Sequence, residues 1–172
     1  MKTFGLAGWS GSGKTTLLRH LIPELRRRGL TVSTVKHAHH RFDLDQPGKD
    51  SHTHREAGAT EVLIASAQRW ALMHELRGAE EPPLDDLLAK MSPVDLVLVE
   101  GFKRSPLPKI EVHRPALGKP LLAAEDPWIV AVASDAATLA TDRPLLPLGD
   151  AAAVADFLVA HLGLAPRPVA RP

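Results

Sequence analysis

Gly8-Trp9-Ser10-Gly11-Ser12-Gly13-Lys14-Thr15, followed by Thr16, constrains this chain more than any other stretch. It satisfies the spacing of a phosphate-cradling loop: Gly, four free positions, then Gly-Lys-Ser/Thr. The glycines permit positive φ and close backbone approach, so successive N–H groups can converge on anionic oxygens. Lys14 is placed to reach β- and γ-phosphates, and the Thr15 hydroxyl to ligate Mg²⁺. The flanks agree. Lys2 to Ala7 reads as a short apolar strand and Thr15 to Arg28 as a helix, whose positive N-terminal dipole faces the loop. A glycine-rich strand-to-helix turn is the alternative, but the complete pattern in this context favours a nucleotide-binding loop.

Leu17, Leu18, Leu21, Ile22 and Leu25 recur at helical spacing, with Pro23 expected to kink the helix and Gly29 to cap it. Arg26, Arg27 and Arg28 form either a phosphate clamp or a solvated helix end, and the dipole favours the second. Leu30 to Val35 completes a strand–helix–strand unit, which implies parallel strands and a right-handed crossover. Leu96 to Val99 is a continuous apolar run, as in a buried parallel strand, and it delivers Glu100 to the ligand edge of the sheet. An acid from a neighbouring strand commonly helps to hold Mg²⁺ beside such a loop, so Glu100 joins Lys14 as a candidate catalytic residue. Ile129 to Ala133 is another buried strand, closed by Ser134-Asp135. Asp135 there can accept from the N1 and N2 donors of guanine, which adenine lacks; its alternative role is a helix N-cap.

Lys36 to Asp50 is a long polar loop leaving the carboxyl end of a strand, where open α/β sheets bind ligands. Five of the nine histidines lie between His37 and His54. Their spacing is not that of a helical metal pair and the chain has no cysteine, so Mg²⁺ held by Asp43, Asp45 or Asp50 is favoured over a transition metal. Asp50 could equally cap a short helix starting near Ser51. Glu61 to Ala65 and Arg69 to His74 pair as a hairpin carrying Trp70 and Met73, for core packing or for an oligomer contact. Leu84 to Met91 reads as an amphipathic helix, Lys109 to His113 as an alternating strand beyond the basic loop of Lys103 and Arg104, and Asp150 as the cap of a helix ending near Leu162. The expectation is one domain over residues 1–164 and a flexible Pro/Arg-rich tail over 165–172. At 172 residues and a formal charge of +1, neither nucleic acid nor a membrane is an expected partner. No apolar run reaches the ~20 residues that span a bilayer, and no leader is visible, so a cytoplasmic protein is expected.

The loop, Thr34-Val35-Lys36-His37, Asp43…Asp45…Pro47-Gly48-Lys49-Asp50-Ser51, Arg55-Glu56-Ala57-Gly58-Ala59, and Asp95–Lys103 with Pro108–Val112 together carry a likeness. Over residues 2–135 the chain resembles the molybdopterin-guanine dinucleotide biosynthesis adaptor (MobB) family. The resemblance implies a P-loop NTPase fold: an α/β protein with a mostly parallel sheet flanked by helices and a β-hairpin extension. It implies GTP and Mg²⁺ as cofactors, slow GTP hydrolysis at most, and a homodimer. The implied partner is the guanylyltransferase of molybdenum cofactor maturation, with molybdopterin as a further ligand. Residue by residue, it puts Gly11, Ser12, Gly13, Lys14, Thr15 and Thr16 on phosphate. Thr15, Glu100 and Asp50 lie around Mg²⁺, and Lys36, His37 and Lys49 in the loop facing the ligand. Two other classes compete. A small-molecule kinase or ATP-dependent ligase of the dethiobiotin synthetase type would use Lys36 as its lysine after the second strand. A nickel-delivery GTPase would use the histidines but generally adds a cysteine, absent here.

Overall fold

The structure, a computed structural model, describes residues 1–38, 42–102 and 105–167. His39, His40, Lys103 and Arg104, together with the last five residues of the tail, lie outside the described residues. Two compact units divide the chain: residues 1–37 with 92–172, and residues 38–91.

The first unit is built on six parallel strands: β1 (Lys2–Ala7), β2 (Val32–Lys36), β5 (Leu96–Glu100), β6 (Lys109–His113), β7 (Ile129–Ser134) and β8 (Leu145–Pro147). Their order is β2-β5-β1-β6-β7-β8. With β1 central, its carboxyl end has a strand end on either side, the place where ligands bind in open parallel sheets. Helices α1 (Lys14–Arg27) and α4 (Ala151–Leu162) cover one face. Leu17, Leu21 and Leu25 of α1, with Val154 and Leu158 of α4, bury themselves against Phe4, Leu98, Ile110 and Ala131. On the other face Ala7, Ile129 and Val132 pack with Ala123 of a 3₁₀ turn, Leu122–Ala124.

The ends of α1 follow the sequence closely. Gly29, at φ 77°, ends the helix just beyond Arg28, and the Gly29 N–H returns to the Arg26 carbonyl. Pro23 is accommodated inside the helix. Arg27 and Arg28 are bound to Glu24, and Arg28 also to Asp156 of α4, at the end of α1 remote from the loop. Arg28 ties α1 to α4 while Arg27 pairs within α1, and the donors of both are committed at this end of the helix rather than to a phosphate clamp. Arg27 and Arg28 in turn hold the Glu24 carboxyl below its ordinary pKa. Arg167, in the tail, donates its N–H to the Arg28 carbonyl and its guanidinium to Asp95.

β6 is a strand over the five residues expected, but its burial does not follow the alternation of its sequence. Its alternation suggests one wet face, yet all five residues are buried. Lys109 is neutralised by Asp126 at 2.8 Å, and Glu111, fully buried, accepts from the N–H groups of Leu122 and Ala123 at 2.9 and 2.8 Å. Glu111 therefore nucleates the 3₁₀ turn that covers it, by satisfying two helix-start donors no backbone partner can reach. β8 and this turn carried no clear sequence signal.

In the second unit, α2 (Asp50–Glu56) precedes the hairpin of β3 (Glu61–Ala65) and β4 (Trp70–His74), and α3 (Leu84–Ala89) follows. Asp50 is the first residue of α2 rather than its cap; Lys49 occupies the cap position in extended conformation. Ser66 makes the hairpin turn, its Oγ accepting from the N–H groups of Gln68 and Arg69. Asp43 and Asp45 converge on Arg55 at 3.1 and 3.0 Å, with Glu75 at 3.7 Å. The Asp45 hydrogen bond above all raises the Arg55 pKa above its usual value. Asp43 and Asp45 thus organise their own loop through a cation, so the Mg²⁺ role considered for them does not hold. Among the described residues no helix is long and apolar enough to cross a membrane.

Candidate nucleotide-binding site

β1 ends at Ala7, α1 begins at Lys14, and the intervening loop folds tightly between them. Gly8, Gly11 and Gly13 all have positive φ (137°, 78° and 102°), a region closed to most side chains. Gly8 is doubly constrained: a Cβ there would stand 2.5 Å from the Val112 carbonyl oxygen of β6 and 2.8 Å from Ser12 Oγ. Lys14 curls back over the loop, its Nζ donating to the carbonyls of Gly8 and Trp9 at 2.8 and 3.0 Å. Trp9 Nε1 donates to the Pro120 carbonyl, and Lys119 Nζ lies 5.7 Å from the Trp9 ring centroid. The loop is therefore braced from the segment after β6.

The residues present fit a phosphate chain. α1 opens on Gly13 with no side-chain cap and no acid in its first turn, which leaves the positive end of the helix for an external anion. The buried Ser12 hydroxyl has no hydrogen-bond partner, a polar atom stranded in the loop wall. Thr15 and Thr16 are exposed on the first turn.

Strand register brings in the flanking groups. Leu6 pairs with Glu100, and Glu100 with Lys36, so the acid stands at the level of the loop's entry. Glu100 is largely buried, with Lys36 Nζ 3.9 Å away. The His37 N–H donates to the Glu100 carbonyl, and the His37 ring lies against Phe102 with 4.9 Å between centroids. Gly101, at φ 100°, turns the chain so tightly that its Cβ position lies 2.9 Å from that of His37. Beside the loop on the opposite side, β6 and β7 end in register, His113 opposite Ser134. The next pair, Arg114 and Asp135, forms an ion pair at 2.6 Å, and Arg114 Nε also donates to the Ser12 carbonyl at 3.0 Å. Ser134 Oγ, not Asp135, caps the following turn through the Ala136 N–H, so the Asp135 carboxylate is spared that task.

The first unit thus assembles Gly11 to Thr16, Lys36, His37, Glu100 and Asp135 along one sheet edge. Lys49 and Asp50 belong to the second unit, both exposed at the start of α2. Among the described residues no group of three His, Asp or Glu side chains converges as a metal cluster. An acid, a hydroxyl and a phosphate chain, the set that Mg²⁺ prefers, would be supplied by Glu100, Thr15 and the ligand itself. Sequence reasoning missed Arg114. Its signal was available: it follows a buried strand as Asp135 does, and parallel register sets such residues side by side.

Comparison with known proteins places this geometry. The family model described as molybdopterin guanine dinucleotide synthesis protein B matches residues 3–135. The molybdopterin-guanine dinucleotide biosynthesis adapter protein of Escherichia coli is 47% identical over 156 residues, covering 89% of each chain. Its counterpart from Haemophilus influenzae is 46% identical over 157 residues, covering 90% of this chain and 85% of the relative. Among solved structures, a crystal structure of molybdopterin-guanine biosynthesis protein B superposes with a TM-score of 0.73 at 28% identity, over 92% of this chain and 99% of the other.

Proposed function

The chain belongs to the molybdopterin guanine dinucleotide synthesis protein B family, and from that premise we propose that it is a GTP-binding adaptor in molybdopterin guanine dinucleotide biosynthesis. It presents Mg²⁺-bound GTP to the guanylyltransferase partner, with molybdopterin as a further ligand, and hydrolyses GTP slowly. The observation that carries this reading is the Gly8–Thr15 cradle, with its positive-φ glycines, uncapped helix start and inward-curled Lys14, in a chain nearly half identical to named adapters.

In this reading the loop N–H groups and Lys14 bind the phosphates, Thr15 and Glu100 hold the metal, and Asp135 selects guanine. Bound Mg²⁺ would neutralise charge on the phosphate oxygens. Lys36 and His37 border the site, and for Lys49 and Asp50 a role toward the ligand is proposed on the family resemblance alone. None of these groups is an evident base for attack on the γ-phosphate, which suits a holder of GTP better than a fast hydrolase. The cytoplasm is the expected location.

Dimer formation has its support in the hairpin. Cross-strand partners in an antiparallel pair share a face, so Leu63, Leu72 and Trp70 lie together, and all three are exposed. Met73 lies on the other face opposite Val62, which is buried, so Met73 takes the packing role. A second copy of the chain is the proposed cover for the exposed face.

Calorimetric titration with Mg²⁺ present tests the central claim. GTP should bind at least tenfold more tightly than ATP, about 1.4 kcal/mol, and Lys14→Ala should abolish binding. Equal affinities, or a preference for ATP, would overturn the assignment. Glu100→Gln should slow hydrolysis and weaken its Mg²⁺ dependence while leaving affinity for GTP largely intact. Trp70→Lys should shift the sedimentation coefficient from dimer to monomer.

A further inference from the structure

Arg114 is absent from the motif and from every role assigned above, yet it touches both ends of the site. Its Nε donates to the Ser12 carbonyl at 3.0 Å, and its terminal nitrogen donates to Asp135 Oδ2 at 2.6 Å. The guanidinium also lies 3.5 to 3.6 Å from where a Cβ on Gly13 would stand, close beside the loop backbone. One planar cation therefore links the phosphate loop to the carboxylate read as the guanine acceptor. Both side chains stay partly open to solvent, 38% and 44% exposed, so a ligand can still reach the acid.

We propose that Arg114 is a positioning residue that sets base selectivity: it clamps Asp135 to the phosphate loop so that the carboxylate waits at one fixed distance from the bound phosphates. The inference rests on the reading of Asp135 as the guanine acceptor. Its physical basis is preorganisation. A carboxylate at the end of a strand otherwise samples several rotamers, and ordering it upon binding subtracts from affinity. Each carboxylate oxygen has two lone pairs, so an Oδ2 already bound to Arg114 can still accept from a base donor. Arginine suits this task. Its rigid fork presents separate nitrogens to the Ser12 carbonyl and to Asp135, whereas lysine would have to reach both from one nitrogen and without a fixed plane.

The test is a double-mutant cycle on the full chain, with GTP and ATP affinities measured by calorimetry in the presence of Mg²⁺. Arg114→Ala is expected to weaken GTP at least tenfold while changing ATP less than twofold. Asp135→Ala should do the same, and the double variant should lose no more than Asp135→Ala alone, because the arginine acts through the acid. Arg114→Lys, which keeps the charge, should lose the same selectivity; recovery of the GTP preference in that variant would overturn the clamp. An equal loss of GTP and ATP in Arg114→Ala would make the arginine a phosphate contact and also overturn it. If Asp135→Ala weakens GTP and Arg114→Ala does not, the clamp fails while the guanine reading stands. If Asp135→Ala leaves GTP affinity unchanged, the guanine reading itself fails.

Discussion

Replacing Gly8 by alanine separates two costs that glycine-rich loops usually confound. At φ 137° an L-residue is strained wherever it sits, and the new methyl would also stand 2.5 Å from the Val112 carbonyl and 2.8 Å from Ser12 Oγ. Gly11 offers the control. Its φ is 78° and the nearest atom to its Cβ position is Leu117 Cδ2 at 3.9 Å, so alanine there meets conformational strain alone. Backbone strain in such regions costs about 1–3 kcal/mol, and forcing atoms into a packed wall adds another ~1–3 kcal/mol. Val112 is β-strand backbone buried in the core and cannot move aside cheaply. Gly8→Ala should therefore lose about 3–5 kcal/mol against about 1 kcal/mol for Gly11→Ala. With a urea slope of about 2 kcal/mol/M, the midpoint should fall by roughly 1.5–2.5 M for the first variant and about 0.5 M for the second. Equilibrium urea unfolding of the ligand-free protein, followed by far-UV circular dichroism, measures both. Equal midpoints for the two variants would refute the claim that the β6 carbonyl sets the loop's shape.

Glu111→Ala should strip two N–H groups of the Leu122–Ala124 turn of their acceptor, at about 1–3 kcal/mol each. At ~2–4 °C per kcal/mol, Tm should fall by roughly 5–20 °C in calorimetry. Glu111→Gln should not rescue it, because the amide NH₂ would face a second donor, and full recovery would show that the carboxylate serves another purpose. Asp95 accepts from the Thr31 N–H and hydroxyl and lies beside Arg167, which together hold its carboxyl below the usual value. A depressed carboxyl stabilises the fold above its unfolded pKa of about 4 and loses that contribution as pH falls through the folded value. Asp95→Asn should accordingly flatten the acid limb of the stability profile below about pH 4, and an unchanged limb would locate that dependence elsewhere.

Sequence legibility tracked backbone chemistry. The loop, α1, the Asp150 cap of α4, the hairpin and the buried strands were all readable because apolar period and glycine placement act locally. The strand β6 was readable but its complete burial was not, because its charges are satisfied by residues 11 to 17 positions away, Glu111 by Leu122 and Ala123, and Lys109 by Asp126. The same limit hid Arg114, whose partner Ser12 is 102 residues distant. Only strand order 1-6-7 makes them neighbours, and that order is a property of the sheet. Asp43 and Asp45 show the converse error. Acids in a polar loop look like metal ligands until a half-buried arginine is found at their centre.

The helix starts divide by how each answers its own dipole. α2 carries Asp50 in its first turn and α3 carries Asp85 and Asp86, while α4 is capped by the Asp150 side chain accepting from the Ala153 N–H. α1 alone among these four has neither a side-chain cap nor a first-turn acid. The pairs flanking it, Lys36 with Glu100 and Arg114 with Asp135, are each neutral overall. Lys14 and the open helix end are thus left to supply positive potential at the loop itself. Thr16→Glu, at an exposed first-turn position, should then move two properties in opposite directions. The carboxylate should stabilise the ligand-free helix by about 0.3–1 kcal/mol, raising Tm by roughly 1–4 °C. It should also repel the phosphates and weaken nucleotide binding by more than tenfold. A variant that binds nucleotide normally, or whose ligand-free form melts lower than the parent, would show that the helix start is not what the loop uses to hold its anion.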